Sequence, residues 1–122
     1  MIKIKHFLDV IENDDGQRIW IEPIRCVNEL AEMCRIDQQL LQLAPPTRLW
    51  EWLQEHPAGY DFFRARYHEY LKSGPHHELL MQLTRQSLAQ PITLLHQCDD
   101  AQQNTAMALY EYLTELEAYC RD

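Results

Sequence analysis

Two stretches of the chain alternate apolar and polar residues, a third is short and almost wholly apolar, and elsewhere apolar residues recur every three or four positions. The alternating stretches run from Ile2 to Leu8 and from Arg18 to Ile24, and the third runs from Ile92 to His96. Successive side chains of a strand point to opposite faces of a sheet, so these patterns predict three β-strands. Pro91 precedes the third, where the first residue of a strand needs no ladder donor.

A polar turn, Asn13 to Gly16, lies between the first two predicted strands. Its Asp-Gly pair supplies the positive φ angle that tight turns need. The link is short enough for a hairpin, and a bulged or offset pairing of the two strands fits the sequence equally well.

The remaining apolar residues have the spacing of helices that bury one face. Prolines and glycines separate these stretches, and Thr47 is predicted to be the N-cap of one of them. The first predicted helix starts at Val27, and a second, shorter helix follows Asp37 and reaches Leu43. Four further helices are predicted, from Thr47 to His56, Gly59 to Leu71, His77 to Leu88 and Ala106 to Cys120.

This order of elements predicts one domain over residues 1–122 with an α/β or α+β fold. The sheet has about three strands and is surrounded by several helices, in an arrangement like a three-layer domain. Because three strands make a minimal sheet, the helices must supply most of the core. The aromatic-rich stretch from Trp50 to Tyr70 is the predicted main packing module.

Charge and cysteine content narrow the classes of function. The formal net charge is −8, which disfavours binding to nucleic acid or to anionic membranes. No apolar run approaches the length of a membrane span, and the first residues do not resemble a signal segment. We therefore expect a cytoplasmic protein with reduced thiols at its four cysteines, Cys26, Cys34, Cys98 and Cys120.

The turn between the last predicted strand and the last helix is where we expect a site. Ligands of open α/β sheets bind where a strand ends and the next helix begins. A ligand would lie between Asp99, Asn104 and Thr105 in this turn and Glu22 and Arg25 at the end of the second strand. The alternative is that the Asp and Asn side chains only cap the free N–H groups of the helix.

Histidine and cysteine residues suggest two further kinds of chemistry. His96 and Cys98 are a candidate nucleophile pair, but alternate strand positions do not by themselves bring sulfur to imidazole, and a buried thiol beside a core histidine is the favoured interpretation. His76 and His77 are adjacent on a predicted helix and therefore diverge, and no metal-ligand spacing accompanies them. No catalytic residue, metal or cofactor is predicted.

Four short motifs occur in an order that resembles the short form of the DUF488 family of bacterial proteins of unknown function. Leu43-Ala44-Pro45-Pro46-Thr47-Arg48-Leu49 is similar to the family's Leu-Ala-Pro-Ser-Thr-x-Leu, and Phe63 to Tyr67 is similar to Phe-x-x-Arg-Tyr. Asp15 to Arg18 resembles Asp-Gly-Tyr-Arg, and Ile92 to Leu95 resembles the start of Val-Thr-Leu-Leu-Tyr. The resemblance covers nearly the whole chain.

The departures from the family pattern concern polar residues. Glu22 to Asn28 stands where the family has Asp-Arg-Leu-Trp-Pro-Arg-Gly, and only an acid is kept. Pro46 replaces a serine, Trp50 replaces an arginine, and Asn104-Thr105 replaces Asn-His. The resemblance therefore implies a diverged member that has lost most of the family's polar signature, and no activity carries over.

A small group of basic residues on the aromatic-rich helices is a candidate anion-binding face. Arg64 and Arg66 diverge on a helix, so solvated charges are the favoured interpretation. Arg66 is the better candidate ligand residue, because it lies in the Arg-Tyr pair of the resemblance.

Two functions are expected from these observations. The first is a non-catalytic cytoplasmic domain that binds a partner protein or forms a homodimer, in keeping with the lost signature and with three tryptophans and six tyrosines. The alternative is a domain that binds a small anionic or nucleotide-like ligand at the end of the last strand. An enzymatic version would need an accessible Cys98.

Overall fold

The structure is a computed structural model that describes the backbone of residues 1–120 and the side chains of residues 1–118. The reduced thiol expected at Cys120 therefore lies outside the described side chains. The strands are β1 (Ile2–His6), β2 (Gln17–Trp20), β3 (Gln38–Gln39) and β4 (Ile92–His96). The helices are α1 (Asn28–Met33), α2 (Thr47–Glu55), α3 (Tyr60–Ser73), α4 (His77–Ala89) and α5 (Thr105–Cys120).

The four strands form one parallel sheet in the order β1-β4-β2-β3. The predicted α/β fold is confirmed, with four strands rather than about three. β4 pairs with both early strands, so that Ile92 is in register with Ile2 on one side and with Gln17 on the other. The first two strands therefore do not form a hairpin. The continuous apolar character of β4 suits its central position, where all five of its residues are buried.

The strand missing from the prediction is β3, which lies where a short helix was expected after Asp37. The Asp37 N–H donates to the Arg18 carbonyl oxygen at 2.8 Å, and the Leu40 N–H donates to the Trp20 carbonyl oxygen at 2.9 Å. The Asp37 carboxylate also accepts the Arg18 N–H at 2.8 Å. These bonds to β2 hold residues 37–40 extended, and the expected helix is reduced to one 3-10 turn, Leu41–Leu43.

The start of α2 also differs from the prediction. Thr47 is the first helical residue, and Pro46 occupies the N-cap position without a side-chain hydrogen bond. A proline has no N–H to satisfy and a fixed φ angle, so it fits at a helix start. The bounds of α3, α4 and α5 agree with the predicted helices to within two residues.

One face of the sheet is covered by the longer helices and contains the main core. Ile19, Ile92 and Leu94 point to this face and are fully buried. The aromatic stretch contributes Phe63 and Tyr67, both also fully buried. The other members of this core are Ile21, Leu43, Leu53, Tyr60, Leu71, Leu80, Leu83, Ala106, Ala108, Leu109 and Leu113.

The opposite face of the sheet has a thinner cover, made of the 7–16 loop and α1, and we call it the thin face. The Phe7 ring packs edge-on against Trp20 with ring centroids 5.4 Å apart. The Arg18 guanidinium donates to the Cys34 carbonyl oxygen at 2.9 Å, just after α1, and the Thr93 hydroxyl donates to the Asp15 carbonyl oxygen at 2.8 Å. The sheet therefore lies between a thick helical layer and a thin layer.

A buried ion cluster fixes the loop that enters β2. Asp15 and Arg18 are fully buried, and the Arg18 guanidinium donates to the Asp15 carboxylate at 2.8 Å. The ammonium groups of Lys3 and Lys5 lie 3.0 and 2.9 Å from the same carboxylate. Burial raises the pKa of Asp15, but hydrogen bonds from Lys5, a backbone N–H, Lys3 and Arg18 outweigh it and hold the pKa well below its ordinary value.

Gly16 confirms the predicted turn. Its φ angle is +63°, and a Cβ atom built there would lie 1.9 Å from the carbonyl oxygen of Pro91. Only glycine meets both conditions. The Asp15-Gly16-Gln17-Arg18 motif therefore serves the fold. Among residues 1–120, no helix has both the length and the apolar character that a membrane span would need.

Candidate functional site

The carboxyl ends of β1, β4 and β2 lie together at one edge of the sheet, because the strands are parallel and β4 is between the other two. We call this the carboxyl edge. His6 and His96 end their strands there, and Glu22 follows β2 by two residues. The loop of residues 97–104 connects β4 to α5 at this edge. It is the position where α/β sheets bind ligands.

Two clefts adjoin the 97–104 loop. The α2 cleft has a volume of about 270 Å³ and lies between the loop and the end of α2. The β1 cleft has a volume of about 380 Å³ and lies between the loop and β1. Both clefts are lined by Cys98 and Asp99. The α2 cleft is also lined by Leu53, Gln54, Pro57, Gln97, Asp100 and Gln103, and the β1 cleft by Ile4, Lys5, His6, Asp9, His96 and Ala101.

Glu22 is a buried carboxyl group at the carboxyl edge, with only 1% of its surface exposed. Burial raises its pKa above the ordinary value, and interactions with the Thr105 hydroxyl, the Gln97 N–H and the Trp50 indole oppose that rise. Glu22 Oε2 accepts the Gln97 N–H at 3.3 Å. Among the described side chains, neither Glu22 Oε1 nor Trp50 Nε1 makes a hydrogen bond of normal geometry. The predicted proximity of Glu22 and Thr105 is thus present.

Asn104 acts as the cap of α5. Its Oδ1 accepts the Met107 N–H at 2.8 Å, and its Nδ2 donates to the Asp100 carbonyl oxygen at 2.9 Å. The Asp100 carboxylate accepts the N–H groups of Gln102 and Gln103 at 2.8 and 3.0 Å, which lowers its pKa. The capping alternative therefore describes Asn104, whereas the Asp100 carboxylate binds N–H groups of the loop before the helix. Asp99 is exposed and lines both clefts.

The two predicted basic ligand residues do not line either cleft. Arg25 is exposed and lies in a separate shallow depression formed by residues 25–29. Arg66 is on the exposed side of α3, with its guanidinium 5.2 Å from the centre of the Phe62 ring and 3.8 Å from the Glu69 carboxylate. Its neighbour Arg64 donates to Glu111 of α5 at 2.7 Å and so joins two helices.

His96 and Cys98 do not form a hydrogen-bonded pair. The Cys98 thiol is directed to the Gln103 carbonyl oxygen, 3.8 Å away. His96 is buried, and burial together with the nearby His6 imidazole lowers its pKa to about 4. Its Nδ1 atom has no hydrogen-bond partner within the described part of the chain. At neutral pH this imidazole is therefore uncharged.

Within the described residues, the only group of three side chains placed to hold a metal ion is Glu12, Asp14 and Asp15. Lys3 and Lys5 already contact these carboxylates at 2.6 to 3.8 Å. The cluster is thus neutralised by ammonium groups. His76 instead packs against Tyr70, with ring centroids 4.7 Å apart.

A second surface feature is apolar and lies on the thin face. Of the nine large apolar residues that are exposed in the described part of the chain, six fall between residues 8 and 33. The Phe7 ring packs against Trp20, and the Trp20 indole donates to the Ile24 carbonyl oxygen at 2.7 Å. Trp20 thus joins the 7–16 loop to the segment that follows β2. We call this surface the thin-face patch; its members are Leu8, Val10, Ile11, Ile24, Val27 and Met33.

Sequence reasoning missed His6 and Trp50 at the carboxyl edge, and it missed the thin-face patch. The position of His6 depends on the pairing of β1 with a strand about ninety residues later, for which the local pattern has no signal. A signal for the patch was present, because Leu8, Val10 and Ile11 continue an apolar pattern beyond the end of β1. The sequence pattern assigned these three residues no place in the core, and the structure leaves them exposed.

The fold and its edge define a small parallel α/β domain without an assembled nucleophile pair in its described part. Comparison with known families is specific: residues 1–120 match the model described as the inactive DUF488-N3 subclade, and the chain belongs to this family. The resemblance read from the motifs is thereby confirmed. Similar proteins include uncharacterized proteins of Mycobacterium bovis and of two Mycobacterium tuberculosis strains. Each is 28% identical over 92 residues, which cover 75% of this chain and 78% of the relative. No solved structure matches the chain.

Proposed function

We propose that this protein is a non-catalytic interaction domain that binds a partner protein, or a second copy of itself, through the thin-face patch. The observation that carries this proposal is the concentration of exposed apolar side chains on one face. Val10 is 79% exposed, Met33 is 77% exposed and Val27 is 63% exposed. Large contiguous apolar patches are uncommon on monomeric soluble proteins and mark interaction sites.

The architecture supports the same proposal. Helices α2 to α5 bury their apolar side chains against the sheet in the main core. The thin layer buries Trp20 and Leu95 beneath it, but its own outer side chains remain exposed. A partner on this face would complete a second thick layer over the sheet.

Two observations support a domain without catalysis. The family to which the chain belongs is described as inactive. The candidate nucleophile Cys98 is directed to a backbone carbonyl oxygen rather than to an imidazole. We also propose a cytoplasmic location, which the free thiols of Cys26, Cys34 and Cys98 support.

The experiment is site-specific photo-crosslinking in the source cells. A photoreactive residue in place of Val27 should give one discrete adduct, and the same residue in place of Leu88, an exposed residue of α4, should give none. The mass of the adduct distinguishes a second copy from another protein. Equal, diffuse labelling from both positions, or no adduct at Val27, would contradict the proposal.

A small-ligand site at the carboxyl edge is the second candidate. It is favoured by the two clefts, which are both lined by Asp99. It is also favoured by the buried carboxyl group of Glu22, which accepts the N–H of Gln97, a residue that lines the α2 cleft. The residues that line the α2 cleft include two carboxyl groups and three glutamine amides but no basic side chain. This lining suits a ligand that donates hydrogen bonds better than it suits the anionic ligand expected from the sequence.

A thermal-shift panel with nucleotides, sugar phosphates, carboxylic acids, amines and divalent metals tests this candidate. A ligand present at 100 times its Kd should stabilise the native chain by about 2.7 kcal/mol. The shift should disappear in Asp99→Ala, which removes a cleft carboxylate that caps no helix. A shift that persists in that variant would place the ligand elsewhere.

A further inference from the structure

We propose that the β1 cleft binds a primary alkylammonium group, which donates hydrogen bonds to the carboxylates of Asp9 and Asp99 and to Nδ1 of His96. This inference rests on the small-ligand candidate of the proposed function and deepens it, because it names the cleft that is used and the chemical class of the ligand. It makes no use of the thin-face patch.

The first argument is a buried acceptor in the lining of the cleft. His96 lines the β1 cleft and is 3% exposed, and its Nδ1 atom has no hydrogen-bond partner within the described part of the chain. Buried polar atoms are nearly always hydrogen-bonded, so an orphaned nitrogen indicates a position where another molecule donates a hydrogen bond. With its proton on Nε2, the neutral ring offers Nδ1 as an acceptor. Burial and the nearby His6 imidazole lower the pKa of His96 to about 4, so at neutral pH the ring does not repel a cation.

The second argument is the charge of the lining. Asp9 and Asp99 both line the cleft, and neither carboxylate forms an ion pair with another described side chain. The Asp9 Oδ2 atom accepts a backbone N–H at the end of β1 at 2.9 Å, which fixes the position of this carboxylate. Among the described residues of the lining, Lys5 is the only lysine or arginine, and Glu12 and Asp15 hold its ammonium group at 2.6 and 2.9 Å. The cleft therefore attracts a cation and disfavours an anion.

The third argument decides which kind of cation fits. Two imidazoles, a thiol and two carboxylates line the cleft, and these are also groups that bind zinc. Among the described side chains, however, three such ligand atoms lie within 4.8 Å of one another only in Glu12, Asp14 and Asp15, none of which lines the cleft. A metal ion needs donor atoms that converge at about 2.0–2.3 Å, whereas an ammonium group donates three longer hydrogen bonds in separate directions. The dispersed acceptors of this cleft fit the ammonium group better.

The remaining lining is suited to a short alkyl chain. Ile4 and Ala101 line the cleft beside the polar groups, and its volume is about 380 Å³. This volume lies in the range of about 300–1,000 Å³ that is typical of small-molecule sites. A primary amine can therefore place its charged end at the carboxylates and its chain against these two apolar side chains. A free alkylamine and a lysine side chain of another protein both have this chemistry.

Heteronuclear NMR titration of the full chain with n-pentylamine, n-pentanol and pentanoate tests the inference. The amine should shift the amides of residues 98–101 and saturate with a Kd on the order of 1 mM, as expected for a ligand of about six heavy atoms. The alcohol and the carboxylate have a chain of the same length but no ammonium group, so they should leave these amides unchanged.

Variants of the cleft provide the second part of the test. Asp9→Asn and Asp99→Asn should each raise the Kd of n-pentylamine by at least about tenfold, because a hydrogen bond between two charged groups is lost. Asparagine retains a side-chain oxygen, so the bond to the backbone of β1 is kept. His96→Phe retains a buried ring but removes Nδ1, and it should weaken binding about tenfold. Glu69→Gln, a change at an exposed carboxylate of α3, should leave the Kd unchanged.

The source of the ammonium group is distinguished with Nα-acetyl-lysine methylamide in place of n-pentylamine. Tighter binding of the blocked lysine assigns the cleft to a lysine side chain of another protein, and tighter binding of n-pentylamine assigns it to a free amine. Either result requires the same two carboxylates.

Three results would overturn the inference. These are no saturation by either amine up to about 50 mM, equal shifts with n-pentanol, and wild-type affinity in Asp9→Asn and Asp99→Asn although both are folded by circular dichroism. A thermal shift with another class of compound that is lost in Asp99→Ala, together with no amine binding, would overturn the inference and retain the small-ligand candidate. No response to any compound would remove both, whereas the Val27 crosslink tests the thin-face patch independently.

Discussion

The buried pair of Asp15 and Arg18 shows how much of this fold depends on single side chains. Arg18 is the largest fully buried side chain in the described part of the protein, and its guanidinium reaches the carboxylate of Asp15 and backbone oxygens of the thin layer. A buried charge that loses its partner is far more costly than a pair that is absent altogether. The cluster therefore holds the 7–16 loop and the end of α1 on the sheet.

The first prediction concerns this pair. Asp15→Asn should destabilise the protein by about 3–5 kcal/mol, because Arg18 remains buried without a compensating charge. Urea denaturation measures the loss as a lower midpoint. Asp14→Asn is the matched control, since the Asp14 side chain is 68% exposed, and it should change stability by less than about 0.5 kcal/mol. Equal effects of the two variants would show that the buried pair has no special role.

The second prediction is a pH dependence due to His96. Its pKa in the folded chain is lowered to about 4, whereas an unperturbed histidine titrates near 6.5. Between these values the unfolded chain binds the proton more readily, so stability should fall as pH decreases from about 6.5 to about 4. The loss should reach about 3 kcal/mol, and urea midpoints measured across this range report it.

His96→Gln provides the control for this effect, because glutamine does not titrate. The variant should be less stable at pH 7, where it loses a well-packed ring, but its stability should depend less on pH between about 6.5 and 4. An unchanged slope in the variant would assign the acid sensitivity to other groups.

At the scale of elements, the longer helices were predictable because each has a wide apolar stripe, a clear break at each end and at least nine residues. β3 was not, because two residues have no period and their conformation is set by hydrogen bonds to β2. The site was predictable only where it depends on the parallel sheet. Glu22 and Thr105 meet because neighbouring strands end together, whereas the positions of Arg25 and Arg66 depend on where a loop and a helix face point.

The third prediction concerns the cap of α5. Asn104→Ala should cost about 1 kcal/mol, within a range of about 0.5–2, because the Met107 N–H loses its acceptor. Asn104→Ser retains a side-chain oxygen and should recover part of this loss. Gln102→Ala, an exposed change in the same loop, should be nearly neutral. Thermal or urea unfolding distinguishes the three variants, and an alanine variant as stable as the wild type would contradict the capping role.

At the scale of the whole molecule, the sheet separates two layers that bury unequal numbers of apolar side chains. The helical layer contributes most of the buried apolar side chains, and the thin layer is held by Phe7, the Arg18 cluster and a helix of six residues. Segments with few buried apolar contacts open locally at lower free energy than the core. The surface proposed for binding is thus also the more easily opened side of the protein.

The fourth prediction follows from this difference. Native-state hydrogen exchange should show the amides of Ala31 and Cys34, at the thin layer, opening at lower free energy than those of Tyr67 and Leu71 in α3. A partner bound to the thin-face patch should increase the protection of Ala31 and Cys34 and should leave that of α3 unchanged. Uniform opening free energies in both layers would contradict the division of the fold.

The central position of β4 also determines when the sheet can form during synthesis. β1 and β2 leave the ribosome early, but neither has the other as a neighbour, and both pair with β4. Loop closure on this scale must wait until about ninety residues have been made, because Ile92 pairs with Ile2. Until then the nascent chain has amphipathic helices but no complete sheet against which to bury them. Chaperone binding and premature association therefore compete with folding most effectively during this interval.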